Sequence, residues 1–277
     1  MNGRDRVALA MRLQKPERVP VMCQLAIGHY FLHTDIPNED IWFDADGFSE
    51  ALVTLARRYG FDGVLANLMP APPEWRAWID RIDEEPDGTR TLRWKKGGGC
   101  RIPADDNLHH FPDYQPPSFE DVDPAKLFYL DPHGPGGAKY PFYFGLVPET
   151  RPDSDFFPDY LFRTIDRLKD KARGELSIHG EVFSPFTQFM DLFGYETALM
   201  NLVADEGRGQ AMLERLSLGA ADLARRLALR GVDAVLVSSA FAGAGFISLD
   251  WYRRFVLPHE RRVVQAVRQA RPGTPVY

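Results

Sequence analysis

Two side chains that can carry a proton, His179 and Glu181, stand two positions apart in the apolar run Leu176–Phe183. On a β-strand this spacing places both side chains on the same face. The pair could bind a metal or transfer a proton, or it could be an ion pair within a polar layer. We interpret His179 and Glu181 as candidate catalytic residues, because chemistry in parallel α/β folds takes place where strands end.

Other polar residues follow apolar runs, where a bound small molecule would contact them. The predicted substrate-binding residues, in chain order, are His29, Tyr30, Asn67, Phe186, Ser238 and Ser239. Phe186 is equally compatible with a place in the core, and His29 and Tyr30 with ordinary loop packing. A serine nucleophile is not indicated, because no His/Asp pairing is visible beside Ser238 and Ser239.

The sequence offers few ligands for a metal or a nucleotide. Cys23 and Cys100 lie too far apart for a CxxC knuckle or a disulfide framework. The pair His109-His110 lacks a third ligand at a suitable spacing. The run Gly97–Gly99 lacks the strand–helix setting of a phosphate loop. We therefore predict no metal ligands within the chain and no nucleotide cofactor.

The elements that position these residues follow a repeated pattern. A helix from Asp44 or Asp46 to Tyr59 ends at Gly60 and is followed by a buried strand over 61–67. The same order recurs in a helix over 205–230, Gly231 and a strand over 232–237. Helix, capping glycine and buried strand form the repeat unit of a parallel α/β fold.

Three further segments fit the same fold. The run 18–26 and the run 176–183 read as buried strands, and residues 274–277 look like the opening of another strand. Ser248 is the predicted N-cap of a helix through Val267 that Pro258 should kink. The expected fold class is thus α/β, a barrel of which about five strands are present.

The middle of the chain departs from this pattern. Residues 78–94 alternate around Pro86-Asp87-Gly88, which predicts a solvent-facing β-hairpin. Eleven of the 22 prolines fall between Cys100 and Pro158. We interpret residues 78–158 as an insertion that is either a lid over one mouth of the barrel or a long connection.

The bulk composition excludes several classes of protein. The chain has 277 residues, a formal net charge of −6 and 44% hydrophobic residues. This charge gives no overall attraction to nucleic acid or to an anionic membrane surface. The charged N-terminus is unlike a signal peptide and no apolar run has membrane-spanning length, so we expect a cytoplasmic protein.

Several blocks, taken in order, resemble the uroporphyrinogen decarboxylase superfamily. They include residues 15–21 running to Gly28-His29-Tyr30, residues 179–187 with 193–196, and Gly231-Val232-Asp233 through residues 255–258. The resemblance spans nearly the whole chain. It implies a single domain over 1–277 with a distorted TIM (β/α)8 barrel, and a small-molecule substrate.

The decarboxylase branch of that superfamily fits these residues poorly. Its motif with two arginines that grip carboxylate arms lines up with Pro20 to Tyr30, where the arginine positions hold Leu25 and His29. Leucine supplies no charged, forked donor for a substrate with many carboxylates. Its aspartate falls close to Asn67, and an amide cannot play that charged role. The resemblance therefore favours the cobalamin-dependent methyltransferase branch.

That branch implies cofactors and a partner. The resemblance implies a zinc ion held by a His-x-Cys pair and a more distant cysteine, with ligands expected beyond Tyr277. Zinc would lower the pKa of an acceptor thiol. It also implies a corrinoid carried on a partner protein. A methyl group would move between this corrinoid and a small acceptor.

The strand count also predicts a truncated barrel. Three βα units, on the order of 80 residues, are missing from the expected eight. A barrel with open strand edges should be poorly soluble or inactive on its own. Three functions stay open: a corrinoid-linked methyltransferase first, then a uroporphyrinogen decarboxylase of porphyrin biosynthesis, and lastly a non-catalytic barrel or binding protein.

Overall fold

The structure is a computed structural model that describes residues 1–111, 117–127, 129 and 157–277. The described chain divides into two compact units. Residues 1–111 and 159–180 form the first unit, and residues 117–127, 129, 157–158 and 181–277 form the second. This division does not test the expectation of one domain over 1–277, which stays a prediction. Most of the proline-rich part of the insertion, and with it the lid hypothesis, lies outside the described residues.

Helices and strands alternate along much of the chain. The α-helices are α1 (Gly3–Met11), α2 (Ile27–His33), α3 (Asn38–Phe43), α4 (Ala45–Tyr59), α5 (Arg163–Ala172), α6 (Pro185–Phe193), α7 (Tyr195–Ala204), α8 (Glu206–Arg230), α9 (Leu249–Trp251) and α10 (Leu257–Ala270). The strands are β1 (Gly63–Ala66), β2 (Ile79–Glu84), β3 (Arg90–Trp94), β4 (Gly99–Ile102), β5 (His109–Phe111), β6 (Ser177–Phe183) and β7 (Ala234–Ser238). Short 3-10 turns cover Trp75–Trp78, Pro124–Lys126 and Asp159–Phe162.

The first unit contains the predicted helix–glycine–strand repeat. The Asp44 side chain accepts a hydrogen bond from the Asp46 N–H at 2.9 Å, which caps the start of α4. Gly60 ends α4 with φ of 69°, a left-handed conformation that glycine adopts without a steric cost. β1 then pairs in parallel with the first four residues of β6, with Gly63 opposite Ser177. The predicted helix and both strands are confirmed.

The predicted buried strand over 18–26 is wrong. None of these residues lies in a strand, and the side chains of Val19 and Val21 are exposed. The Val21 N–H donates to the Asp62 carboxylate at 2.7 Å, and the Val21 carbonyl accepts from the Asp62 N–H at 2.7 Å. Because a side chain accepts this N–H, the segment meets the start of β1 at one residue without forming a ladder. Apolar, β-branched composition favours a strand only where a partner strand is in register.

The predicted hairpin of the insertion is confirmed and proves to be part of a larger sheet. β2 and β3 pair antiparallel, and β4 and β5 extend the sheet in the order β2-β3-β4-β5. The sequence analysis missed β4 and β5. One face of this sheet is fully buried at Leu92, Cys100 and Ile102, so the hairpin is only partly solvent-facing.

The second unit repeats the same pattern around a longer helix. The Asp205 side chain accepts from the Arg208 N–H at 3.0 Å and caps α8, and Gly231 ends that helix with φ of 81°. β7 follows, and it neighbours β6 in the sheet order β1-β6-β7. Val276 forms an isolated parallel bridge to Val235, and the strand predicted to open over 274–277 stays a prediction.

The helix after Ser248 is interrupted before Pro258, as predicted. The Ser248 hydroxyl accepts from the Trp251 N–H at 3.2 Å, and a π-helical turn over Tyr252–Val256 separates α9 from α10. Proline has no N–H to donate to the carbonyl four residues earlier, which belongs to Arg254. The Gln210 side chain donates to that carbonyl at 3.2 Å instead. A side chain of α8 thus satisfies the group that Pro258 leaves without a helical partner.

The observed fold is mixed α/β, with a parallel sheet and helices that are consistent with a partial TIM-barrel-like fold. The full strand number and the truncation stay predictions. No helix in the described part of the chain combines the length and the apolar character needed to cross a membrane.

Candidate active site

The candidate site lies in the second unit, where β6 and β7 end. β6 ends at Phe183, and α6 begins at Pro185 with Ser184 as its N-cap. β7 ends at Ser238. Parallel strands present their carboxyl ends at one edge of a sheet, and ligands of parallel α/β folds bind at that edge. Glu181, Ser184, Ser238 and Tyr277 all belong to this unit.

A network of hydroxyl groups fixes the ends of the two strands. The Ser184 N–H donates to the Ser238 carbonyl at 2.9 Å, and the Thr187 hydroxyl donates to the same carbonyl at 3.2 Å. The Ser184 hydroxyl accepts from the Thr187 N–H at 3.1 Å and from the Ser239 hydroxyl at 3.1 Å. Ser184 and Thr187 are buried. The network therefore holds the backbone of Ser238 in one place.

Glu181 is the buried acid of this site. Only 7% of the residue is exposed, and its Oε2 atom has no hydrogen-bond partner among the described residues. Burial raises the pKa of Glu181 from 4.5 to about 7, and a hydrogen bond with the Ser238 side chain opposes that rise. Burial penalises the ionised carboxylate because it removes the charge from water. At neutral pH the protonated and ionised forms are thus present in similar amounts.

Tyr277 is the third polar side chain of this edge. Its N–H donates to the Val235 carbonyl at 3.1 Å, and its carbonyl accepts from the Val237 N–H at 2.8 Å. These bonds hold Tyr277 alongside β7. Tyr277 is 48% exposed, and the desolvation of its partly covered phenol, together with the nearby Glu181 carboxylate, raises the pKa of Tyr277 to about 12. The phenol is therefore neutral at physiological pH and can donate a hydrogen bond.

His179, the other predicted catalytic residue, lies in the first unit. It is buried, and its Nε2 atom lies 3.0 Å from the Ser177 hydroxyl in a hydrogen bond. Ser177 is two residues earlier on β6, so both side chains share one face of that strand.

His29 and Tyr30, predicted as substrate contacts, lie on α2 in the first unit. The His29 Nε2 atom hydrogen-bonds with the Tyr59 hydroxyl at 2.9 Å, at the end of α4. Burial, with help from His33 and Arg58, lowers the pKa of His29. The Tyr30 ring is buried against Phe48 with centroids 5.8 Å apart, and burial raises its pKa. Tyr30 thus has the surroundings of a core residue.

The remaining predicted contacts occupy three kinds of position. Asn67 directly follows β1 in the first unit and is half-buried. Phe186 is 1% exposed and packs in the apolar cluster of the second unit with Phe189 and Met190. Ser238 and Ser239 are half-buried beside Glu181 and Ser184, and belong to the hydroxyl network described above.

The described residues do not by themselves form a zinc site. In the described part of the chain, no three His, Cys, Asp or Glu side chains come close enough to hold a metal ion. Cys23 is exposed on the segment before α2, and Cys100 is buried in the four-stranded sheet of the first unit. Burial raises the pKa of the Cys100 thiol, so this group is not a ready thiolate. A zinc ion would need further ligands.

Part of this site was predicted from the sequence. Glu181, Ser238 and Ser239 were predicted from their places near strand ends. Ser184, Thr187 and Tyr277 were not predicted. The first two carried a readable signal, since a serine before proline and three residues before a threonine is typical of a helix N-terminus. Tyr277 carried no such signal, because its role depends on lying alongside β7.

The fold is mixed α/β with a parallel sheet, and a buried acid lies near the point where two of its strands end. The sequence profile of the family described as "Uroporphyrinogen decarboxylase (URO-D)" matches residues 134–277, more than half of the chain. The chain belongs to this family. The resemblance drawn from the sequence blocks is thereby confirmed.

One solved structure shows the fold over the whole chain. A methyltransferase from Methanosarcina mazei matches with a TM-score of 0.61 and 13% sequence identity. The match covers 100% of this chain and 68% of that protein. Identity this low speaks for the fold alone. No curated protein matches the sequence.

Proposed function

We propose that this protein is a methyltransferase of the URO-D superfamily in which Glu181 exchanges a proton with a small acceptor. The methyl group would move between that acceptor and a corrinoid carried by a partner protein. The observation that carries the proposal is the buried Glu181 carboxyl group, with one oxygen that no described residue engages. Family membership supports an enzymatic role in general.

The chemistry asked of Glu181 is a proton transfer. Methylation of an N–H, O–H or S–H group releases a proton, and the reverse reaction needs one. A carboxyl group with a pKa of about 7 can take up or deliver that proton at neutral pH. The Ser238 hydroxyl bonds the carboxyl group and orients it, and the Ser184 network holds Ser238. The corrinoid, when bound, supplies or accepts the methyl group.

The absence of two carboxylate-binding arginines favours the methyltransferase branch over the decarboxylase. Leu25 and His29 occupy the positions where the decarboxylase has carboxylate-binding arginines. The His29 ring is engaged with Tyr59 at the end of α4. Neither side chain offers the permanently charged fork that a polycarboxylate requires. A zinc ion would need ligands from outside the described residues.

A uroporphyrinogen decarboxylase is the second candidate, and the family match over 134–277 favours it. Decarboxylation replaces a carboxyl group by a proton, so it also needs a proton donor near neutral pH. Glu181 could serve there as well. The two candidates differ in products: one moves a methyl group without releasing CO₂, and the other releases CO₂ without a methyl donor.

The test measures methyl transfer from methylcobalamin to small thiols, amines and alcohols by the absorbance change on loss of the methyl group. It uses the 277-residue chain and the product of any longer reading frame. We expect transfer that Glu181→Gln slows by about 10²-fold or more, the usual contribution of a general acid or base. Glu196→Gln, on an exposed position of α7, is the matched control and should leave the rate unchanged.

Three results would contradict the proposal. Release of CO₂ from uroporphyrinogen would support the second candidate instead. Methyl transfer at the same rate in Glu181→Gln would remove Glu181 from the mechanism. Absence of both activities from every form of the protein would favour a non-catalytic or binding barrel.

A further inference from the structure

The segments that follow β6 and β7 contain acids and no bases, and the base nearest to Glu181 in sequence is His179, two residues earlier on β6. Residues 181–204, which run from the end of β6 through α6 and α7, include Glu181, Asp191 and Glu196 but no lysine, arginine or histidine. Residues 234–249, which form β7 and the loop after it, have no charged side chain. Residues 274–277 also have none. The chain segments that follow these strands therefore supply no cation to the site.

The electrostatics of Glu181 agree with this pattern. Burial and the Ser238 hydrogen bond account for the shifted pKa of Glu181, and no arginine, lysine or histidine contributes among the described residues. The other polar groups here are the hydroxyls of Ser184, Ser238, Ser239 and Tyr277. Hydroxyls can donate hydrogen bonds but cannot neutralise a buried charge.

Such a site favours one kind of ligand. The Oε2 atom of Glu181 is buried, and an acceptor left without a donor in the interior costs about 1–3 kcal/mol. A ligand with an N–H group and a positive charge would supply both the missing donor and the missing countercharge. An anionic ligand would supply neither, and among the described residues no cation contributes at Glu181 to offset the repulsion.

We infer that Glu181 binds the protonated amino group of a small amine, and that carboxylate, sulfonate and phosphate groups are excluded from this position. This inference rests on the proposed function, because it names the class of acceptor for the same site: Glu181 would first take a proton from the bound ammonium group, and the free amine would then accept the methyl group. Ser238 would fix the orientation of the carboxylate towards the ammonium group. The Tyr277 phenol, neutral at physiological pH, would line the site without adding charge.

The test compares methylammonium with acetate, which is similar in size and opposite in charge, by calorimetric titration at constant ionic strength. At pH 8 we expect methylammonium to bind at least tenfold more tightly than acetate. Below pH 7 its affinity should fall about tenfold per pH unit, because protonation of Glu181 competes with the cation. Methanol, a neutral donor of similar size, should bind more weakly than methylammonium.

Two variants make the test specific. Glu181→Gln should abolish methylammonium binding, and Glu196→Gln, on exposed α7, should leave it unchanged. If Glu181→Gln does not fold, the ¹³C signal of the Glu181 carboxyl group in the unaltered protein decides. The pH midpoint of the titration of this signal, about 7 without ligand, should fall by one pH unit or more in saturating methylammonium.

Several outcomes would overturn the inference: acetate or methanol binding as tightly as methylammonium, binding that survives Glu181→Gln, or a Glu181 midpoint that methylammonium does not move. The inference and the proposed function fail separately. Methylammonium binding without methyl transfer to any acceptor contradicts the proposed function alone. Methyl transfer that depends on Glu181, without amine binding, contradicts this inference alone.

Discussion

Asp62 in the first unit and Glu181 in the second are buried carboxylates with opposite surroundings. Asp62 in the first unit is fully buried and completely paired: Arg18 donates to both of its oxygens at 2.8 Å, Arg6 donates at 2.8 Å, and the Val21 N–H donates at 2.7 Å. Glu181 in the second unit is also buried, but one of its oxygens meets no donor among the described residues.

The pKa values of the two groups move in opposite directions for this reason. Burial raises the pKa of Asp62, but hydrogen bonds from Val21, Arg6 and Arg18 outweigh it, and the net shift is downward. For Glu181 burial prevails, and the pKa rises to about 7. Burial alone therefore does not mark a functional acid. Glu39 in the first unit also has a buried oxygen without a partner among the described residues, but Arg90 pairs with its other oxygen at 3.0 Å. Glu181 differs from both acids in that no cation contributes to its pKa among the described residues.

Their places along the strands agree with this division. Asp62 directly precedes β1, whereas Glu181 lies in the second half of β6. In parallel barrels the amino ends of strands serve stability and the carboxyl ends serve chemistry. Asp62 connects the segment before α2, the helix α1 and the start of β1. These positions agree with a structural role for Asp62 and with the acid–base role proposed for Glu181.

The largest effect is expected for Asp62→Asn. The change removes the buried carboxylate that Arg6 and Arg18 share, although Arg6 keeps Glu17 and the Arg18 side chain is 45% exposed. Breaking a fully buried ion pair costs about 3–5 kcal/mol, which sets the upper limit of the expected loss. Urea denaturation at pH 7 measures the loss in the free energy of unfolding. Glu17→Gln is the control, because Glu17 is the exposed partner of Arg6; it should cost less than about 1 kcal/mol. Equal losses in both variants would contradict the structural role of Asp62.

The loss in Asp62→Asn should also depend on pH. A depressed pKa contributes stability above the unfolded value of 3.8, and that contribution is lost as the pH falls through the folded value. The difference between the variant and the unaltered protein should therefore shrink in acid. A difference that is constant from pH 7 down to pH 2 would show that charge is not its source.

Glu181→Gln should give the opposite result, a gain in stability at high pH. A raised pKa contributes stability fully below the unfolded value of 4.5, and that contribution is lost as the pH rises through about 7. The two proteins should be about equally stable at pH 4. Above pH 7.5 the variant should be more stable by on the order of 3 kcal/mol. Denaturation curves at pH 4, 6 and 8 check this; a variant that is less stable at pH 8 would contradict it.

The parts of the fold that sequence could predict are local ones. The repeat of helix, glycine and strand was readable because capping, glycine conformation and apolar runs are all set within a few residues. The segment 18–26 was misread because a strand needs a partner, and here the Asp62 side chain takes the N–H of Val21. β4 and β5 were missed because short strands next to Gly97–Gly99 and a proline-rich stretch carry little periodic signal.

The candidate site follows the same rule. Glu181, Ser238 and Ser239 could be predicted because strand ends can be read from the sequence. The unpartnered oxygen of Glu181 could not, since it depends on which side chains come near in the fold. The bonds that join Ser184 and Thr187 to Ser238 span more than 50 positions of sequence. Contacts of this kind become visible only in three dimensions.

A smaller effect is expected for Ser184→Ala. The Ser184 hydroxyl caps α6 and accepts from Ser239, and loss of a helix N-cap costs about 0.5–2 kcal/mol. The site should lose order as well as stability, because Ser239 loses its partner. Ser248→Ala, the exposed cap of α9, is the matched control and should cost no more than about 1 kcal/mol. If the Glu181 midpoint measured by ¹³C NMR moves equally in both variants, the positioning role of Ser184 is wrong.

An effect of similar size concerns the feature that the two units share. Gly60 and Gly231 end α4 and α8 with φ of 69° and 81°. Alanine at either position places a Cβ in the left-handed region, at a cost of roughly 1–2 kcal/mol. No atom lies within 4 Å of a Cβ built on Gly60, so the cost of alanine there should come from the backbone alone.

Gly207→Ala, in the first turn of α8, is the control. Its Cβ would meet only Asp205 Oδ1 at 3.7 Å, and alanine should stabilise that helix by about 0.5–1 kcal/mol. Thermal denaturation of the three variants checks the signs. If Gly60→Ala is as stable as the unaltered protein, the turn after α4 tolerates another conformation. The glycine would then be required at the end of α8 but not at the end of α4.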